Sequence, residues 1–225
     1  MPSHVPHDRA LRRGFRSCRD KMNIQIVLLT FASLTPLSVF AHHPLDGRSP
    51  ETAIEGLLSG IGHPVIGMDH LAFIIAIGLL AAVTRRGLLI PVGFVFGGLA
   101  GVALHLQLLM LPAAELLVAA TVIVFGALLV ADKSIDIRLG VILGAGAGIF
   151  HGYAYAEAIV GANMTTLASY LVGLTLIQLG ISLASFYLAT QFVKRSTVGS
   201  HTPFRVAGIA VASVGTAFLT LATLG

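Results

Sequence analysis

Side chains able to titrate or bind metal fall in two short segments of a very apolar chain. The first, His63-Pro64-Val65-Ile66-Gly67-Met68-Asp69-His70, holds two imidazoles and a carboxylate. The second, Phe150-His151-Gly152-Tyr153-Ala154-Tyr155-Ala156-Glu157, holds one of each. Glu115 follows Pro112, and His42-His43-Pro44 follows a candidate cleavage position. Imidazole together with carboxylate suits Ni²⁺, Co²⁺, Zn²⁺ or Cu²⁺, whereas Mg²⁺ and Ca²⁺ prefer carboxylate and water alone. Cys18 is the single cysteine, so a thiolate or Cu(I) site is unsupported. The candidate metal ligands are therefore His63, Asp69, His70, His151, Glu157 and Glu115, with His42 and His43 as a first-contact site at a new N-terminus. His105 reads as a structural imidazole, and Gln178 as a hydrogen-bonding group between helices.

Spacing restricts how these groups can meet. In an unbroken helix His63 and His70 lie about 10 Å apart along the axis, and His151 and Glu157 about 9 Å. Six residues also turn a helix by about 240°, so the second pair does not share a face. Neither segment can chelate one ion as an ideal helix. Helices broken near Pro64 and Gly152, ligands drawn from several helices, and successive stations along a path all remain open. We expect a site between the first and fourth membrane spans, with broken helix starts of the kind transporters use. Pro64 is expected in the first turn of a helix, with His63 extended before it. Asp69 and His70 would then lie about two turns into the first span. Titratable groups at that depth are costly, which favours a functional reading for the set.

The elements that must hold them are set by composition. Of 225 residues, 56% are apolar and 11% charged, against roughly 25% charged in a soluble domain. Mean hydropathy is +0.90. These values exclude a disordered chain, a soluble globular enzyme and a nucleic-acid-binding module. The net charge of +4 does not argue otherwise, because six of the fourteen Lys and Arg residues precede residue 22. Six runs are long and apolar enough to cross a bilayer: 64–83, 88–107, 113–131, 138–160, 165–192 and 204–224. Arg85, Arg86, Lys133, Arg138, Lys194, Arg195 and Arg205 fall at alternate connections, and only Arg48 falls on the other side. The positive-inside rule then places both mature termini outside.

Residues 22–41 read as a secretory signal with a basic flank, a short apolar stretch and small residues before Ala41. The expected organisation is an N-terminal extension and cleavable signal peptide over 1–41, a short periplasmic segment over 42–62, and a six-helix transport domain over 63–225. Within 42–62, residues 51–62 are expected to form a short helix or re-entrant piece at the outer surface. The fold class is all-α: a polytopic membrane protein of six transmembrane helices after the signal peptide, in a bacterial inner membrane. Glycines recur every four residues as Gly93, Gly97 and Gly101 in the second span, and as Gly140, Gly144, Gly148 and Gly152 in the fourth. Such stripes let helix backbones approach closely, which predicts a tight bundle with these two spans central.

The sequence resembles the HupE/UreJ nickel/cobalt permeases. The likeness rests on His63-Pro64, Gly67 and Asp69-His70; on Phe150-His151-Gly152 with Glu157; and on Pro112 with Glu115. It extends over the signal peptide and all six spans. It departs where many members carry a further histidine and this chain has Tyr153 and Tyr155, and in a shorter distance from His151 to the glutamate. The resemblance implies uptake of Ni²⁺ or Co²⁺ for metalloenzyme or cobalamin assembly, without an ATPase or an organic cofactor. No P-loop is present. The expected partners are the lipid bilayer and the metal ion, with a second copy of the chain left open. A different class, a redox module holding haem between His70 and His151, is the alternative. An intramembrane hydrolase is disfavoured, since neither HExxH nor GxSxG occurs.

Overall fold

The computed structural model describes residues 48–131, 135–195 and 202–224. These residues build seven α-helices and no strand. The signal segment, His42, His43 and Lys133 lie outside them.

Helix α1 (Ala53–Ile66) starts at a capping box. The Thr52 hydroxyl accepts from the Glu55 N–H at 3.2 Å, and the Glu55 carboxylate accepts from the Thr52 N–H at 3.2 Å. Arg48 pairs with the same carboxylate at 3.0 Å. The helix ends two residues after Pro64, at Ile66. Proline withholds a donor from the carbonyl one turn back, and Gly67 then takes an extended conformation (φ −70°, ψ 102°) that no helix continues. Helix α2 (Met68–Val83) departs at 81° to α1. Pro64 therefore closes a helix rather than opening one, and His63 is helical rather than extended. Asp69 and His70 sit in the first turn of α2, not two turns into a span.

The remaining helices are α3 (Leu89–Leu106), α4 (Ala114–Ala131), α5 (Ile137–Tyr155, extended by a 3-10 turn over Ala156–Ile159), α6 (Met164–Arg195) and α7 (Thr202–Leu224). These five are long and apolar enough to cross a membrane, and the bent α1–α2 pair makes a sixth candidate when taken as one broken span. Glycines place α1 along the start of α6, at Thr166 and Tyr170, and α2 along its later half, at Ser182. The pair thus advances along α6 instead of turning back. Residues 53–62, expected as a short helix or re-entrant piece, are helical and pack on α6 at Gly56 and Gly60.

The two glycine stripes face each other. A Cβ on Gly97 would strike the carbonyl of Ala145, and one on Gly101 the carbonyl of Ile149; from the other side Gly148 meets Phe94 and Gly152 meets Gly98, all backbone. Gly93 lies on Val141, while Gly140 and Gly144 lie on Ile90. Gly126 and Gly208 bring α4 and α7 together in the same way. The helix in the centre is nevertheless α2, which packs against α1, α3, α4, α6 and α7. Its Phe73, Ile74, Ile77 and Leu80 are fully buried. The α3–α5 pair is tight but lies to one side of it.

Candidate metal site at the helix break

The break at Gly67 shortens the separation that an intact helix would impose. The His63 and His70 rings lie 5.8 Å apart, edge to face. From α5, His151 reaches His70, with the two Nδ1 atoms 2.9 Å apart. The four polar groups are deeply buried: His151 is 0% exposed, His63 and His70 3%, and Asp69 7%. Asp69 Oδ1 accepts from the His70 N–H at 2.8 Å, which sets a carboxylate at the electropositive start of α2.

Two apolar clusters enclose the imidazoles. On one side, the His151 ring lies 4.3 Å from Phe73 and 5.7 Å from Phe94, within a core that includes Phe125 and Leu129. On the other, His70 lies 4.4 Å and His63 5.2 Å from Tyr155, within a cluster that includes Ile159, Tyr170 and Leu174.

Hydroxyl groups complete the polar shell. The Tyr170 hydroxyl donates to the Tyr155 carbonyl at 2.7 Å and lies 3.3 Å from His63 Nδ1. The Thr121 hydroxyl donates to the Val118 carbonyl at 2.6 Å and lies 3.0 Å from His151 Nε2. Reading the sequence did not single out Thr121, or Tyr170. A buried hydroxyl within a span must find a partner, but spacing does not say which.

Of the ligands expected from sequence, the structure thus gathers His63, Asp69, His70 and His151. Glu157 is exposed on the 3-10 turn after α5, and Glu115 is exposed in the first turn of α4. The helix is intact at Gly152 and gives way only after Tyr155, which carries Glu157 outward. Among the described residues, no three His, Cys, Asp or Glu side chains are gathered to hold one ion as they stand. His70 and His151 turn their Nδ1 atoms towards each other at 2.9 Å. An ion taking either nitrogen must replace that bond.

The fold and this buried imidazole–carboxylate group define a polytopic helical membrane protein with a polar centre at the break between α1 and α2. Comparison with known proteins then supplies the family. The HupE / UreJ protein family matches residues 29–218, and the chain belongs to it. It is 30% identical to Protein HupE of Rhizobium leguminosarum bv. viciae over 170 residues, which is 73% of this chain and 85% of that relative. No solved structure matches.

Proposed function

We propose that this chain is a secondary permease that takes up Ni²⁺ or Co²⁺ across the bacterial inner membrane, with both mature termini on the periplasmic side. One observation carries the reading: His63, Asp69, His70 and His151 are buried together at the break between two apolar helices. Three imidazoles and a carboxylate are donor types that borderline divalent ions prefer. Burying such groups in lipid is costly unless they are used. The HupE/UreJ family is associated with nickel and cobalt uptake for hydrogenase and urease. In this reading the ion sheds water on leaving the periplasm and is held between the two apolar clusters. It then leaves to the cytoplasm when the helices about Gly67 shift. The chain supplies no catalytic step and needs no organic cofactor.

Bis-histidine haem ligation would need a macrocycle between His70 and His151. Their direct 2.9 Å contact leaves no plane for one. Uptake of radioactive nickel and cobalt by cells carrying wild type, His70→Ala or His151→Ala tests the proposal. Both variants should lose uptake at matched membrane levels. Transport at the wild-type rate by both would refute it.

A further inference from the structure

We propose that Thr121 and Tyr170 are positioning residues: each accepts an imidazole N–H, and together they fix the lone pairs of His63 and His70 on Nε2. The inference rests on the permease reading for what those lone pairs are used for, but the hydrogen-bond argument stands on geometry.

A hydroxyl has one proton to give. Thr121 spends it on the Val118 carbonyl at 2.6 Å, shorter than its 3.0 Å contact with His151 Nε2. Towards His151 the Thr121 oxygen is therefore an acceptor, and His151 Nε2 carries the proton. A neutral imidazole has one N–H, so His151 Nδ1 carries the lone pair. The partner at 2.9 Å, His70 Nδ1, must then be the donor. That leaves the lone pair of neutral His70 on Nε2.

A second chain of bonds reaches the same result from another helix. Tyr170 donates to the Tyr155 carbonyl at 2.7 Å, shorter than its 3.3 Å contact with His63 Nδ1. The Tyr170 oxygen accepts from His63 Nδ1–H, and the lone pair of His63 falls on Nε2. Helices α4 and α6 thus impose one tautomer on the two histidines that flank the Gly67 break. In this arrangement His151 has both ring nitrogens engaged, by Thr121 and by His70, and acts as the link through which Thr121 orients His70. Such outer groups set ring orientation and ligand basicity.

The test combines two readouts on the full chain in lipid nanodiscs. Nitrogen NMR of labelled histidine in the ion-free wild type should show His63 and His70 protonated at Nδ1 and His151 at Nε2. Thr121→Val should move the proton of His70 towards Nε2, although the imidazole that residue 121 bonds is that of His151. Tyr170→Phe should do the same for His63, and Thr121→Ser should keep the wild-type pattern. Titration with NiCl₂ or CoCl₂ should show Thr121→Val and Tyr170→Phe binding roughly 10- to 100-fold more weakly than wild type, with Thr121→Ser within about twofold. Wild-type His63 or His70 protonated at Nε2 overturns the inference without need of any variant. Wild-type ion binding with Thr121→Val and Tyr170→Phe unchanged overturns the positioning roles alone. A wild type that binds neither ion yet shows the assigned tautomers overturns the permease reading instead.

Discussion

Replacing Gly152 by alanine tests whether the close approach of α3 and α5 holds His151 in place. The added Cβ would fall on the carbonyl oxygen, carbon and Cα of Gly98, which are backbone and cannot rotate away. Ordinary contact is restored only if the helices part by roughly 1 Å or more. Overpacking of this kind costs about 1–3 kcal/mol. The same displacement acts on the adjacent His151. Lengthening its 2.9 Å bond to His70 by that amount exceeds hydrogen-bonding distance. Gly146 is the internal control, because it lies on the same helix and a Cβ there meets nothing within 4 Å. Gly146→Ala should be neutral, or stabilising by up to about 1 kcal/mol through helix propensity. The assay is denaturant unfolding of the purified protein in mixed micelles, followed by circular dichroism, with nickel uptake measured in parallel. Gly152→Ala should unfold at lower denaturant and transport poorly, while Gly146→Ala matches wild type in both. Equal unfolding midpoints for the two variants would refute the packing argument.

Glu157→Gln and Glu115→Gln should transport like wild type, since both carboxylates are exposed and apart from the histidines; loss of uptake in either would place that glutamate on the path. Uptake should fall as external pH is lowered, because protonated imidazole has no lone pair for an ion. Measured with the proton gradient collapsed by an ionophore, a flat profile between about pH 5 and 7.5 would count against histidine ligation. Thr52→Ala removes one half of the α1 capping box and should cost about 1 kcal/mol, read as a lower unfolding midpoint; an unchanged midpoint would mean that α1 gains nothing from its cap.

Much of this molecule is legible as a string of residues. Apolar runs with charged gaps mark the crossings, and five of them agree with helices to within three residues at either end. The density of polar types around residues 63–70 and at His151 marks where chemistry is concentrated. The seven glycines of the two stripes announce close packing, because only a missing side chain permits it.

Other features depend on distance through space. Local preference places Pro64 in a first turn, where its absent N–H is harmless, yet tertiary packing of α1 on α6 makes it the end of a helix. That choice moves the break to Gly67 and brings His63 to His70. Glu157 and Glu115 match a ligand pattern by type, and the turn of the backbone carries both to the surface. Thr121 and Tyr170 become partners of histidines far away in the chain because α4 and α6 pass beside α5 and α1. Hydrophobicity is a property of each residue and can be summed along a sequence. Hydrogen-bond direction belongs to a pair of atoms, so it exists only once the helices have met.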